Sequence, residues 1–156
     1  MKNTTLCFLV KENKVLLAMK KRGFGAGKWN GVGGKVSDNE DIKDATVREA
    51  NEEIGVSINK EDLKSHGSIK FSFDGKPDWN QEVHFFVTEK WEGEPVESEE
   101  MKPQWYDNDK LPFESMWLDD PHWMPKVLAG KKVEGEFMFN NNGSEILKFE
   151  VRDVGF

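Results

Sequence analysis

Residues 34–56 read GKVSDNEDIKDATVREANEEIGV, and the second half of this stretch predicts the best helix in the chain. We expect the helix over 41–54, because apolar residues recur there at helical spacing and a glycine follows at position 55. The apolar stripe consists of Ile42, Thr46, Val47, Ala50 and Ile54. Three side chains ahead of the helix can cap its N-terminus, namely Ser37, Asp38 and Asn39.

Three glutamates lie close together on this predicted helix. Because helical positions advance about 100° per residue, Glu49, Glu52 and Glu53 fall within a sector of roughly 100°. Carboxylates so close repel one another, and acids near a helix C-terminus also oppose the helix dipole. Mg²⁺ or Mn²⁺ would relieve the repulsion, since hard oxygen ligands suit both ions. A solvated acidic helix face is the common alternative, and the spacing alone does not exclude it.

A glycine-rich segment leads into this region, with glycines at 23, 25, 27, 31, 33 and 34. Such a density of glycine permits tight turns and close approach of the backbone to a ligand. A flexible solvent loop is the alternative. Trp29 and Asn30 argue against simple flexibility, because their side chains can pack and form hydrogen bonds.

The rest of the chain predicts strands and one further helix. Strands are expected over 5–10 and 15–19 around a turn at 12–14, and over 69–73, 83–88 and 104–106. A hairpin over 136–139 and 146–151 is expected around Asn142-Gly143. Pro121 is expected to begin a helix that runs to Leu128, with Asp119 or Asp120 as its cap, although Pro125 disturbs it. The pattern predicts one α+β domain over 1–156, with a mixed sheet and a few helices.

Composition limits the classes of function. The 156 residues suit one core, and a formal net charge of −7 disfavours non-specific nucleic-acid binding. Cys7 is the single cysteine and lies in an apolar run, which favours a buried, inert thiol and allows no intramolecular disulfide. We find no signal pattern and no apolar run of membrane-spanning length. We expect a cytoplasmic monomer with neither nucleic acid nor membrane as a partner.

One spaced pattern resembles a known family. Gly34, five residues, Glu40, seven residues and then residues 48–56 match the Nudix box at every defined position. The resemblance implies an α/β/α sandwich around a mixed sheet, with the box as a loop-helix-loop. It also implies hydrolysis of a nucleoside diphosphate linked to another group.

The same resemblance implies roles for the residues of the box. Arg48 would orient a glutamate, Glu40 would be structural, and one of the helix carboxylates would activate water. The metal ligands would be Glu49, Glu52 and Glu53, joined by the backbone carbonyl of Gly34.

Three further segments, at 20–31, 96–101 and 116–123, look like the animal oxidised-purine nucleoside triphosphatases within this family. That resemblance implies hydrolysis of 8-oxo-dGTP and 2-hydroxy-dATP to the monophosphate and pyrophosphate. A Nudix hydrolase of another nucleotide, such as O6-methyl-dGTP, N6-methyl-dATP or a nucleoside diphosphate sugar, is the first alternative. A catalytically silent nucleotide-binding module is the second.

The chemistry of these segments suits a purine pocket. Trp117 can stack on a base, while Phe71 and Phe73 share one face of a strand and can form the opposing wall. Asp119 and Asp120 can read the base edge, especially if one is kept protonated by burial and by its neighbour. Asn30 offers both a donor and an acceptor.

Other pocket residues follow from the resemblance alone: Thr5, Lys20 and Trp123 as substrate contacts, and Glu100 as a metal-side or water-activating carboxylate. Each has a simpler alternative. The aromatic residues would ordinarily be core, the aspartates a helix cap, the lysine a solvated turn and Glu100 a surface acid.

Residues 78–82 depart from that subfamily. The segment DWNQE contains Trp79 and one apparent extra residue, where the subfamily has a shorter apolar segment bearing a methionine. Because this loop is expected beside the base pocket, the preference for modified bases could differ from that of the animal enzymes.

Overall fold

The computed structural model describes residues 1–23 and 25–155. The strands are β1 (Lys2–Lys11), β2 (Lys14–Lys20), β3 (Trp29–Asn30), β4 (Lys64–Phe73), β5 (Gln81–Thr88), β6 (Met101–Asp107), β7 (Lys132–Phe139) and β8 (Ile146–Val154). The helices are α1 (Ile42–Ile54) and α2 (Asp120–Leu128). Short 3₁₀ turns lie at Lys60–Asp62, Pro77–Trp79 and Phe113–Ser115. No helix in the described part of the chain is long and apolar enough to cross a membrane.

The strands form a mixed sheet in the order β3-β2-β1-β5-β4-β7-β8, with β6 paired to β2. The pairs β1–β5 and β4–β7 are parallel, and the remaining pairs are antiparallel. Strands distant in sequence therefore become neighbours: Gln81 of β5 pairs with Lys2 of β1 on one side and with Phe71 of β4 on the other.

The two helices cover opposite faces of the sheet. Successive strand residues point to opposite faces, so Cys7 and Leu9 of β1 join the core beneath α1, whereas Phe8 joins the core beneath α2. Under α2, the rings of Phe85 and Trp123 stack with their centroids 4.1 Å apart. The predicted α+β class and the α/β/α sandwich are confirmed.

Local signals explain the limits of α1. The Asp41 carboxylate accepts hydrogen bonds from the backbone N–H groups of Lys43 and Asp44, at 3.1 and 3.2 Å. The predicted caps Ser37, Asp38 and Asn39 were therefore wrong, because the cap is Asp41. At the other end, Gly55 adopts a φ of 75°, the left-handed conformation that glycine tolerates best, as expected.

The second helix differs from its prediction in detail. α2 begins at Asp120, and Asp119 occupies the cap position, but the Asp119 side chain makes no capping hydrogen bond. Pro125 does not end the helix, which continues to Leu128. Trp29 and Asn30, predicted in a loop, instead form a two-residue strand against Ala18 and Met19.

Candidate active site

A pocket of about 530 Å³ opens between the start of the sheet, the carboxyl half of α1 and the start of α2. One end contains acidic and glycine residues from the Nudix-like stretch, and the other end contains aromatic residues and two aspartates. The predicted site residues that line it are Thr5, Lys20, Asn30, Gly34, Glu49, Glu53, Phe71, Phe73, Glu100, Trp117, Asp119, Asp120 and Trp123. Phe24, within the segment 20–31, lies outside the described residues.

At the acidic end, the Glu49 carboxylate lies directly against the backbone of Gly34. A Cβ atom at position 34 would lie 2.7 Å from Glu49 Oε2 and 2.8 Å from Oε1. Glycine at this position therefore leaves the space that the carboxylate occupies, and it brings the Gly34 backbone next to Glu49.

Glu53 is a half-buried glutamate of the same helix. Its Oε1 accepts a hydrogen bond from the backbone N–H of Gly33 at 2.7 Å. Burial raises the pKa of Glu53 to about 7, and the charges of Glu49 and Glu100 act in the same direction. The charge of Lys20 opposes this increase. The repulsion expected from the sequence is thus present in the pocket.

Arg48 links the acidic residues around the helix. Its Nε and Nη2 donate to Glu40 at 2.9 and 3.0 Å, and its Nη1 donates to Glu49 at 2.8 Å and to Glu52 at 3.2 Å. The hydrogen bond from Arg48 is the main reason that the pKa of Glu40 is lowered to about 2. Arg48 and Glu52 do not belong to the pocket lining, and the Glu52 side chain is 58 % exposed.

The donor set at this end fits a hard divalent cation. In residues 1–23 and 25–155, no group of three or more His, Cys, Asp or Glu side chains is close enough to hold a metal by itself. The pocket does bring together carboxylate oxygens of Glu49 and Glu53 and the Gly34 backbone. Mg²⁺ usually binds through one or two carboxylates, waters and substrate phosphates, so a partial protein site is what it requires.

At the other end, Asp119 and Asp120 lie side by side and almost fully buried, 5 % and 1 % exposed. Asp119 accepts a hydrogen bond from the Trp123 indole Nε1 at 2.7 Å, and Asp120 accepts one from the Trp117 backbone N–H at 3.2 Å. Burial, the Asp119 charge and a hydrogen bond with Asp119 raise the pKa of Asp120 well above its ordinary value. Burial raises the pKa of Asp119 as well, so this pair holds a proton more readily than two exposed aspartates would.

Aromatic rings enclose this end. Phe73 stacks on Phe139, with centroids 5.1 Å apart and an interplanar angle of 16°. Trp117 forms another part of the lining, and the ammonium group of Lys28 lies 5.2 Å from its ring centroid. Trp123 also lines the pocket, although it is 1 % exposed and packs mainly in the core. An aromatic slot with few polar groups suits a flat heterocycle.

Polar residues connect the two ends. Asn30 Oδ1 accepts a hydrogen bond from the Gly31 N–H at 2.8 Å, which leaves the Asn30 amide N–H₂ group as a donor. The backbone N–H of Thr5 donates to the Gly34 carbonyl at 2.9 Å. Glu100 is largely exposed at the pocket mouth, with Arg22 Nη2 3.4 Å from its Oε1.

The sequence did not identify several residues of the lining, including Thr4, Gln81, Val83 and Phe139, and it gave Arg22 and Lys28 of the segment 20–31 no individual role. The alternation Gln81-Val83-Phe85 was a usable signal, because these residues share one strand face. The position of Phe139 beside Phe73 depends on the pairing of β7 with β4, which no local pattern shows. Trp79 is not in the lining and instead packs edge-on behind Phe73, with centroids 5.4 Å apart.

Comparison with known protein sequences identifies the family of this chain. The NUDIX domain family model matches residues 2–127. The oxidized purine nucleoside triphosphate hydrolase of Danio rerio is 49 % identical over 138 residues, which cover 88 % of this chain and 86 % of that protein. Its namesake from Mus musculus is 45 % identical over 150 residues, covering 96 % and 94 %.

A solved structure from the same family has the same fold as this chain. The crystal structure of a mutator MutT protein from Bacillus halodurans superimposes with a TM-score of 0.82 and 27 % identity, over 97 % of both chains. Members of this family generally need divalent cations and act on nucleotide substrates. The chain therefore belongs to the NUDIX family and is a Nudix hydrolase.

Proposed function

We propose that this enzyme hydrolyses oxidised purine nucleoside triphosphates, 8-oxo-dGTP and 2-hydroxy-dATP, to the monophosphate and pyrophosphate. One observation carries the proposal: a single pocket joins the Glu49–Glu53 end to the buried Asp119–Asp120 pair. A nucleoside triphosphate matches the two ends of this pocket. Its phosphates need a cation, which the acidic end can hold, and its base needs an enclosed apolar slot. The relatives from Danio rerio and Mus musculus are both named oxidized purine nucleoside triphosphate hydrolase.

At the acidic end, Glu49, Glu52, Glu53 and the Gly34 carbonyl are proposed to hold Mg²⁺ together with waters and substrate phosphates, with Mn²⁺ as a substitute. Glu52, which is exposed on the same helix, is proposed to turn towards the ion as it binds. A bound divalent cation would neutralise phosphate charge and acidify water. Arg48 fixes the Glu49 rotamer through its 2.8 Å hydrogen bond. One carboxylate among Glu49, Glu52, Glu53 and Glu100 takes the proton of the attacking water. The new bond joins the water oxygen to phosphorus, and a phosphoanhydride P–O bond breaks.

At the base end, Asp119 and Asp120 are proposed to read the purine edge. A protonated carboxyl group donates a hydrogen bond and a carboxylate accepts one, so the pair offers both kinds of group. Exchange of the proton between them lets one pocket accept the edges of both oxidised purines. Trp117 stacks on the base, with Asn30, Thr5 and Lys20 as further contacts and Phe71, Phe73 and Trp123 as walls.

The whole chain is proposed to act as one Nudix domain and as a cytoplasmic monomer, without nucleic-acid or membrane partners. The family model ends at residue 127, but β7 and β8 continue the sheet and Phe139 of β7 lines the pocket. The presence of all three glutamates, Glu49, Glu52 and Glu53, argues against a catalytically silent module, since such a module has no need of metal ligands.

Steady-state kinetics with Mg²⁺ on 8-oxo-dGTP, 2-hydroxy-dATP, O6-methyl-dGTP, N6-methyl-dATP and dGTP tests the proposal. The expected result is the highest kcat/KM for an oxidised purine, with the monophosphate and pyrophosphate as products. A higher kcat/KM for a methylated purine would favour the alternative substrate, and no turnover of any of them would favour the silent module.

A further inference from the structure

We propose that Gln81 determines base specificity and that Thr4 is its positioning residue. The inference rests on the proposed function, because it assigns a further contact within the same base pocket. Gln81 lines that pocket, together with Thr4. Neither residue belongs to the set that the Nudix resemblance implies.

The register of the sheet places Gln81 on the floor of the pocket. Its strand neighbours Val83 and Phe85 belong to the core beneath α2, and alternation puts Gln81 on the same face. In the adjacent strand, Phe71 is its direct partner. Gln81 is thus a carboxamide at the margin of an otherwise apolar floor that a base would cover.

A hydrogen bond fixes which end of the carboxamide is available. The Thr4 hydroxyl Oγ1 lies 3.0 Å from Gln81 Oε1 and 3.5 Å from the Glu82 carbonyl oxygen, and its single proton is donated to the nearer oxygen, that of Gln81. With the oxygen engaged, the Gln81 N–H₂ group is the donor that remains for a ligand. A donor that a bound base covers selects ligands that carry an acceptor opposite it, since an unpaired polar group is costly to cover. Gln81 therefore favours purines with an oxygen or ring nitrogen at that position.

The loop before β5 holds this arrangement in place. Asn80 Oδ1 accepts the backbone N–H of Phe73 at 3.1 Å, and Trp79 packs against the Phe73 ring. The 3₁₀ turn at Pro77–Trp79 leads directly into β5, whose first residue, Gln81, lines the pocket. Within residues 78–82, Gln81 therefore reaches the pocket and Trp79 does not.

The test compares Gln81→Met with Glu82→Met. Methionine matches the length of glutamine but lacks its amide group. Glu82 is the control position because its side chain lies on the opposite face of the sheet, where it accepts a hydrogen bond from the Ser68 hydroxyl. We expect Gln81→Met to change the ratio of kcat/KM for 8-oxo-dGTP and 2-hydroxy-dATP by about threefold to tenfold, mostly through KM, as for one hydrogen bond. Glu82→Met should leave that ratio as in the wild type.

Thr4 provides a second test. Thr4→Val removes the hydroxyl at constant shape and should shift the ratio in the same direction as Gln81→Met, whereas Thr4→Ser should restore it. An unchanged ratio in Gln81→Met, or an equal increase in KM for all purine triphosphates including dGTP, would overturn the assignment. If wild-type enzyme shows no preference for oxidised purines, the proposed function fails instead; a preference that Gln81→Met leaves intact refutes only the role of Gln81.

Discussion

The Glu49 carboxylate occupies the space where any side chain at position 34 would begin. A Cβ atom on Gly34 would lie within 2.8 Å of both carboxylate oxygens. A side chain at position 34 would therefore displace the Glu49 carboxylate. The backbone carbonyl of Gly34 is itself one of the proposed metal ligands.

Gly34→Ala tests this contact. The added methyl group should displace the Glu49 carboxylate, and a shift of about 1 Å in such a site reduces turnover by about a hundredfold. The measurement is kcat on 8-oxo-dGTP together with Mn²⁺ affinity by electron paramagnetic resonance. Gly155→Ala is the control, since a Cβ atom there meets no atom within 4 Å. Wild-type turnover and Mn²⁺ affinity in Gly34→Ala would contradict this account.

Asp120 should make stability depend on pH. Its pKa is higher in the folded than in the unfolded chain, so the folded state binds the proton more tightly. Stability should therefore fall as pH rises from about 4, the ordinary aspartate pKa, towards the raised value. Asp120→Asn cannot ionise, and its free energy of unfolding in urea should vary less with pH.

Asp153→Asn is the matched control for that measurement, with the opposite sign. Hydrogen bonding to Lys126 lowers the pKa of Asp153, so this carboxylate stabilises the fold above the ordinary aspartate pKa and loses its effect in acid. The variant should lose stability at neutral pH and little in acid. Parallel curves for Asp120→Asn and wild type would argue against a protonated Asp120.

Trp117→Ala tests base stacking. Loss of a stacked ring costs about 1–3 kcal/mol per base, so KM for 8-oxo-dGTP should rise by about fivefold to a hundredfold. Trp91→Ala is the control, because Trp91 packs against Trp105 and is outside the pocket lining. An equal effect of the two substitutions on KM would show that Trp117 acts through the fold and not through the base.

The helix and its acidic residues were predictable because the signals are local. The apolar stripe, Gly55 and the glutamate spacing all lie within one stretch of sequence. The cap was not predictable, since Ser37, Asp38, Asn39 and Asp41 can all accept hydrogen bonds and the path of the chain decides between them.

The base pocket was only partly predictable. Asp119 and Trp117 are close in sequence, but Phe139 and Gln81 reach the pocket through the pairing of distant strands. Trp79 illustrates the same difficulty. Its sequence position suggested an effect on the pocket, whereas the strand register directs Gln81, two residues later, towards the ligand space.

Glu53→Gln separates folding from chemistry. Burial raises the pKa of Glu53 to about 7, so its ionised form destabilises the metal-free protein increasingly as pH rises through that value. Glutamine has no charge and can still accept the Gly33 N–H. Metal-free Glu53→Gln should therefore have a higher Tm than wild type at about pH 8, with a smaller difference at about pH 5.

The rate of 8-oxo-dGTP hydrolysis by Glu53→Gln with saturating Mg²⁺, relative to wild type, is the most direct test of the acidic site. The account predicts a fall in kcat of several orders of magnitude in a variant that is at least as stable as wild type. Turnover equal to that of wild type would contradict the assignment of Glu53 and, with it, the proposed metal site on α1.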